Sequence, residues 1–247
     1  MDKPVLVVKG VGKDIGKKTI LGSIDLQLRS GQSLALCGGN GVGKSTLLRM
    51  IAGITRPTRG SIALGGIQWA DNRRRYADQL GYMPDDYLFG QGLSAEETLS
   101  FWASLRKVSQ ARVSETLELV GLSEVRRNPV TSFSKGMRQR LLFAQALLAK
   151  PALLLMDEPT NGLDPYWMDS FAELVRFAKG EGHAVLFSTH QLQIAEATAD
   201  HVVFLKDGGI AEQGTTASIL ERYGPYGLQT VFSRLFGGSQ PGQARVP

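Results

Sequence analysis

Ser33-Leu34-Ala35-Leu36-Cys37-Gly38-Gly39-Asn40-Gly41-Val42-Gly43-Lys44-Ser45-Thr46-Leu47-Leu48-Arg49-Met50-Ile51-Ala52 decides the fold. Ser33 to Cys37 reads as a short buried strand, and Lys44 to Ala52 as a helix closed by Gly53 and Pro57, so the stretch is strand, glycine loop, helix. The loop fits G-x-x-x-x-G-K-[ST], the phosphate-binding P-loop. Glycines let the backbone curl until the N–H groups from Gly38 through Asn40, Gly41, Val42 and Gly43 point inward at phosphate oxygens, and the helix that follows adds its positive end. Lys44 is suited to the β and γ phosphates, the Ser45 hydroxyl to Mg²⁺, and Thr46 is a further donor beside the phosphates. Residue frequencies alone would produce such a pattern in about one chain of this length in a hundred.

Working outward, Val5 to Val8 favour a strand. Ile24, Leu26 and Leu28 then alternate with Asp25, Gln27 and Arg29 up to a turn at Ser30-Gly31, the period of a half-exposed antiparallel strand. From Leu93 to Lys150 the signal is helical, with Leu99, Trp102, Ala103, Leu117 and Val120 at helical spacings and Pro151 as the stop. Strands return at Leu153 to Met156 and Val185 to Thr189. Between them lies a helix that Asp164 caps, Pro165 starts and Met168, Phe171, Leu174, Val175 and Ala178 pack. Alternating strand and helix implies a parallel sheet. Val202 to Leu205, Asp207-Gly208-Gly209 and Ile210-Ala211 read as a closing hairpin. The expected class is α/β: a P-loop NTPase core with a parallel sheet, an antiparallel β-subdomain and an inserted α-helical subdomain. In residues, one domain spans 1–220, with core and β-subdomain in 1–85 and 151–215, the helical subdomain in 86–150 and a C-terminal extension in 221–247. In that extension Leu228, Val231, Phe232, Leu235 and Phe236 share one helical face, which would dock on the protein's own body or on a partner or membrane surface.

Composition excludes some roles. With 247 residues, 43% hydrophobic and 21% charged, the chain has the make-up of a water-soluble globular domain. Its longest apolar runs, such as Ala152 to Met156, fall far short of the roughly 20 residues that cross a bilayer. Met1-Asp2-Lys3-Pro4 ahead of Val5 to Val8 lacks a secretory apolar core, so a cytosolic location is expected. The single cysteine, Cys37, cannot form an internal disulfide and reads as a buried thiol. A net charge of +5 suits phosphate ligands, nucleic acid or an anionic membrane face and selects none of them. Arg73-Arg74-Arg75 and Arg126-Arg127 are runs short enough to be solvated faces.

The apolar strand Ala152-Leu153-Leu154-Leu155-Met156 ends in Asp157-Glu158. Asp157, at the carboxyl end of a buried strand, can bind Mg²⁺ directly or through water. Glu158, one residue on, can take the proton of an attacking water in phosphoryl transfer. A P-loop and an acidic strand end are shared by many NTPases. Phe133-Ser134-Lys135-Gly136-Met137-Arg138-Gln139-Arg140 narrows the field, because it resembles the Leu-Ser-Gly-Gly-Gln signature of ATP-binding-cassette (ABC) ATPases. Ser134 can cap the helix that follows, through Lys150, and its N-terminus offers a second anion site. Pro159-Thr160-Asn161-Gly162-Leu163-Asp164 looks like that family's D-loop, and Ser188-Thr189-His190 like its switch histidine.

The resemblance covers about residues 5 to 215. It implies a RecA-like core and an ATP-hydrolysing subunit that uses Mg²⁺ and works with a transmembrane permease. It also implies a homodimer, or a pair with a second ABC ATPase, in which the P-loop of one chain faces Ser134 and Gly136 of the other, with Asp164 nearby and His190 on the γ-phosphate. Such a subunit would be peripheral on the inner membrane face, and no nucleic-acid partner is expected. Two positions depart from the family pattern: Ile15 stands about where an aromatic residue stacks on adenine, and Asp85 where a glutamine reaches metal or water. Tyr82-Met83-Pro84 before an acid, with Lys135 in the signature, is similar to the ABC-2-type exporter branch, and in motif style to the copper-maturation ATPase that serves nitrous oxide reductase. Leu88, Phe89 and Leu93 would form a groove for the permease or pack on the chain's own lobe. A soluble ABC protein acting on ribosomes or DNA is the alternative, though one P-loop and no heptad stretch fit it poorly. A kinase or GTPase would leave the signature unexplained, and no Asn-Lys-x-Asp run for guanine is present.

Overall fold

The computed structural model describes residues 3–237 except 86, 88, 91, 163 and 164, and of residues 165–167 only the helical backbone. Strands β1 (Leu6–Ile15) and β2 (Lys18–Leu28) form an antiparallel hairpin, with Val8 opposite Leu26 and Leu6 opposite Leu28. Ile24, Leu26 and Leu28 are buried while Asp25 and Gln27 face solvent, as the period of two requires. β3 (Ser33–Cys37) is buried along its whole length, and α1 (Lys44–Ile51) follows the glycine loop. β4 (Arg59–Leu64) and β5 (Ile67–Gln68) then extend the hairpin into an antiparallel sheet of order β2-β1-β4-β5.

Helix α2 (Arg73–Asp78) starts at Asn72, whose side chain accepts the Arg75 N–H, and leads into β6 (Leu80–Met83). Three helices follow: α3 (Ala95–Arg106), α4 (Gln110–Leu119) and, after single 3-10 turns at 123–125 and 130–132, α5 (Lys135–Leu147). Each begins at a serine, Ser94, Ser109 or Ser134, whose hydroxyl accepts an N–H of the first turn. α5 ends three residues before Lys150, which adopts a left-handed conformation (φ 48°) ahead of Pro151. The chain continues through β7 (Leu153–Met156), α6 (Pro165–Gly180), β8 (Ala184–Thr189), α7 (Leu192–Thr198), β9 (His201–Lys206), β10 (Gly209–Thr215), α8 (Thr216–Tyr223) and α9 (Gly227–Phe236).

The second sheet has the order β10-β9-β3-β8-β7-β6, parallel except for the edge hairpin β9–β10. Its inner strands β3, β8 and β7 are buried on both faces. Leu34, Leu36, Leu153 and Leu155 pack under the antiparallel sheet and α1, whereas Ala35, Cys37, Leu154 and Met156 pack against the helical segment with α6, α7 and α9. That double burial is why β3, β7 and β8 read as unbroken apolar runs. The α/β class with its parallel core, antiparallel sheet and inserted helices is therefore as expected. The sequence pattern alone does not predict β4, β5, β6, α2, α7 or α8.

Helix α9 docks on the body of the protein: Leu228 and Val231 are buried, and Phe232 and Leu235 pack against the same core. Phe89 likewise packs on the chain's own lobe, with its ring 4.9 Å from that of Tyr87, while Leu93 is exposed and Leu88 lies outside the described residues.

Candidate functional site

Neighbouring strands bring distant segments together at their carboxyl ends. β8 runs between β3 and β7, so Ser188 and Thr189 stand between the glycine loop and the Asp157-Glu158 pair. Two of the loop's glycines have steric reasons. A Cβ on Gly38 (φ 153°) would come within 2.6 Å of the Leu205 carbonyl oxygen, and one on Gly43 (φ 104°) within 2.6 Å of the Leu21 side chain. The loop therefore lies flush against β9 on one side and β2 on the other.

Asp157 is buried and its Oδ1 accepts two hydroxyls, Ser188 at 2.7 Å and Ser45 at 3.1 Å. Its own N–H donates to the Met83 carbonyl at 2.8 Å, which ties the acidic end of β7 to β6. Glu158 takes the left-handed conformation (φ 47°), unusual for a residue with a side chain. Its N–H donates to Ser188 Oγ at 2.9 Å, and its carbonyl accepts the Asn161 N–H at 3.0 Å, which together hold that backbone. The carboxylate bridges two groups: Oε1 is 3.2 Å from Lys44 Nζ and Oε2 is 2.9 Å from His190 Nδ1. Against an ionised carboxylate the His190 proton belongs on Nδ1. Lys44 also donates to the Gly38 and Gly39 carbonyls at 2.9 and 3.2 Å.

These groups face a cavity of about 460 Å³ lined by Asn40, Gly41, Gly43, Lys44, Ser45, Thr46, Asp85, Glu158, Asn161 and His190. A larger one, about 750 Å³, lies between the antiparallel sheet and β9–β10; Lys9, Asp25 and His201 line it, but among the described residues no ion pair joins them as Lys44 and His190 are joined to Glu158. Asp85 projects toward the first cavity and accepts from Asn161 Nδ2 at 3.5 Å. Burial holds its carboxyl above the usual range against that hydrogen bond, and the charges of Asp157 and Glu158 push the same way. Burial also pushes the Cys37 thiol up to about 12, so it is a packed, unreactive group beneath the loop.

Among the described residues no three His, Cys, Asp or Glu side chains converge as a metal cage. The hydroxyl of Ser45 against the carboxylate of Asp157 is nonetheless a pair of hard oxygen donors, the set that suits Mg²⁺ when substrate phosphates and water supply the remaining ligands.

Other expected site residues sit elsewhere. Val42 packs toward the core under the antiparallel sheet, and Ile15, 60% exposed at the β1–β2 turn, does not line the cavity. Ser134 caps α5, accepting the Met137 N–H at 3.2 Å, with Gly136 in the first turn; neither lines the cavity of its own chain. Asp164 lies outside the described residues. Ser188 and Asn161 belong to the site although neither has an individual role in the sequence motifs. The available signal for Ser188 was a hydroxyl directly after the apolar run Ala184 to Phe187, in a strand that must satisfy it internally.

A family model described as ABC transporter matches residues 21–161. The uncharacterized ABC transporter ATP-binding protein YdbJ of Bacillus subtilis is 37% identical over 231 residues, spanning 90% of this chain and 75% of that protein. The lantibiotic transport ATP-binding protein SrtF of Streptococcus pyogenes is 35% identical over 206 residues, 83% of this chain and 89% of its own length. A solved structure of the ATP-binding subunit of an ABC transporter superposes with a TM-score of 0.85 at 31% identity, covering 94% of this chain and 99% of that one. With a phosphate loop, an acidic strand end and a histidine gathered on one cavity, and with these matches across most of its length, the chain belongs to the ABC transporter family as an ATP-binding subunit.

Proposed function

We propose that the chain hydrolyses ATP in the 460 Å³ cavity with Glu158 as the base, and that the cycle drives a membrane permease of the ABC-2 type. The observation that supports the assignment is the Glu158 carboxylate held between Lys44 and His190 beside the Ser45–Asp157 pair. Lys44 has three N–H donors, and two carbonyls and Glu158 engage all of them. A β or γ phosphate reaching Lys44 displaces the carboxylate, which then accepts the proton of the attacking water. His190 keeps that carboxylate oriented through Nδ1 and, lining the same cavity, is the ring available to the γ-phosphate. The backbone N–H groups of residues 38–43 cradle the phosphates, and Thr46 adds a hydroxyl. Mg²⁺ held by Ser45 and Asp157, with Asp85 at the edge, would neutralise charge on the phosphate oxygens.

Ser134 and Gly136, remote from the cavity of their own chain, fit the role of covering the nucleotide of a second copy or of a paired ATPase, with Asp164 alongside. In this reading residues 86–150 form the helical lobe of a single domain ending near residue 220. ATP then acts as an adhesive between two halves, and its hydrolysis loosens them. No described helix is long and apolar enough to cross a membrane; in this reading the permease supplies the span and holds the chain at the inner face. The decisive test is Glu158→Gln. ATP turnover should fall by roughly 10²–10⁴-fold, with binding retained and Mg-ATP driving the chain into dimers. Unchanged turnover removes Glu158 from the base role, and a chain that stays single with Mg-ATP and its permease refutes the shared site.

A further inference from the structure

The glycine loop has an aromatic neighbour that its sequence motif does not require. At Gly39 the position a Cβ would occupy lies 3.9 Å from both Cδ1 and Cε1 of Phe236, in the last turn of α9, and 4.0 Å from Val42 Cγ1. One flank of the loop is fixed by the Leu205 carbonyl at Gly38 and another by Leu21 at Gly43. The Phe236 ring stands beside Gly39, between those two, at a position that has no side chain of its own.

Helix α9 is firmly seated. Leu228 and Val231 are buried, and the Phe232 and Phe236 rings pack with centroids 4.5 Å apart. The Arg234 guanidinium lies over the Tyr223 ring at 5.0 Å, which ties α9 to α8. α9 also packs on α7, which begins two residues after His190. One C-terminal helix thus bears on both segments that face the phosphates.

We propose that Phe236 is a positioning residue for the phosphate loop, and that α9 is a brace which holds the loop in its binding conformation before nucleotide arrives. Glycine-rich backbone loses more entropy on ordering than any other, and a ring held against it removes part of that freedom in advance. A pre-ordered cradle binds more tightly because ordering no longer draws on binding energy. Once phosphates engage the N–H groups, the loop is ordered with or without the ring. The brace therefore acts on affinity and leaves the chemical step alone. This rests on residues 38–45 being the ATP phosphate site.

The test uses the full chain carrying Phe236→Ala, Phe236→Leu or Lys44→Ala, with ATP affinity measured by calorimetry, turnover by phosphate release, and hydrogen exchange followed over residues 38–43. Phe236→Ala should weaken ATP binding about ten-fold, equivalent to roughly 1.4 kcal/mol, with faster exchange in the loop and kcat at saturating ATP within two-fold of wild type. Phe236→Leu, which refills the contact, should restore affinity to within two-fold. Phe236 is half-buried at a helix end, so an unchanged Tm for the nucleotide-free Phe236→Ala chain is expected and separates bracing from loss of fold. Unchanged affinity in Phe236→Ala, or a kcat loss as large as the affinity loss, overturns the brace. If Lys44→Ala also binds ATP as the wild type does, the phosphate-site reading itself has failed, and the brace with it.

Discussion

Removing one hydroxyl, Ser188→Ala, should disable the site from behind. Ser188 Oγ accepts the Glu158 N–H at 2.9 Å and donates to Asp157 Oδ1 at 2.7 Å, and the residue is wholly buried. Alanine fits the space, so no clash is introduced. It leaves the Glu158 N–H without its acceptor, a loss of about 1–3 kcal/mol, and removes a hydrogen bond to a carboxylate, about 1.5–3 kcal/mol. Because the two share one oxygen they overlap, and about 2–4 kcal/mol is the expected loss of stability by urea denaturation. Catalysis should suffer separately. Glu158 sits at φ 47°, a conformation that costs about 1–2 kcal/mol and persists only while its N–H and C=O are held. Freed from Ser188, the residue can relax and carry its carboxylate away from Lys44 and His190. ATP turnover should drop at least ten-fold, with Lys44 still able to bind phosphate. A variant less than about 1 kcal/mol destabilised and turning over within two-fold of wild type would refute both the network and its link to the base.

Asp200 joins the start of β3 to the end of α6: its Oδ2 accepts from Ser33 N and Oγ, and its Oδ1 from Lys179 Nζ at 2.7 Å. Burial alone would raise its pKa, but the hydrogen bonds from Lys179 and Ser33 outweigh it and hold the carboxyl below its ordinary 3.8. A lowered pKa in the fold stabilises above the unfolded value and is lost as pH falls through the folded one, so the stability gap between wild type and Asp200→Asn should be present at pH 7 and close below about pH 4. In Ser94→Ala the reciprocal cap with Glu97 disappears, and thermal denaturation should show a loss of about 1 kcal/mol centred on the helical segment. Gly81→Ala would drive a methyl into the Ala146 carbonyl oxygen and onto the Pro151 ring at 3.0 Å, and since backbone cannot yield, the loss should reach the upper end of roughly 1–3 kcal/mol or prevent soluble expression.

What the sequence disclosed was whatever is fixed locally. The glycine loop is legible because only glycine fits against Leu205 and Leu21 there. β3, β7 and β8 are legible because burial on both faces leaves no room for polar residues. The closing hairpin is legible because Asp207 (φ 49°) and Gly208 (φ 76°) are the residue types a two-residue turn with positive φ accepts. β4 was not: Arg59-Gly60-Ser61-Ile62-Ala63-Leu64 has too few apolar positions to declare itself and becomes a strand by pairing with β1. α2 and α7 are too short for periodicity to register. Within the site, Lys44, Ser45, Asp157 and Glu158 could be named from residue type and place and His190 only through the resemblance, and the structure brings the five side chains together. Ser188 could not, because its role depends on β8 lying between β3 and β7, and strand order is a long-range property.

The same long-range order gives the signature helix a mechanical route to the acidic pair. α5, which starts at Ser134, packs on β6, and only the missing side chain of Gly81 lets the Ala146 carbonyl approach so closely. Two residues along β6, the Met83 carbonyl accepts the Asp157 N–H. Two further on, Asp85 meets Asn161 at the cavity edge. If a partner covers Ser134 as proposed, a displacement of α5 would be passed toward the backbone of Asp157 through these packed and hydrogen-bonded contacts. In Gly81→Ala chains that still fold, that route is loosened at its first step. Turnover by the isolated chain should then persist while its acceleration by a second copy, read as the dependence of specific activity on protein concentration, is lost. Preserved acceleration would show that the two sites communicate by some other path.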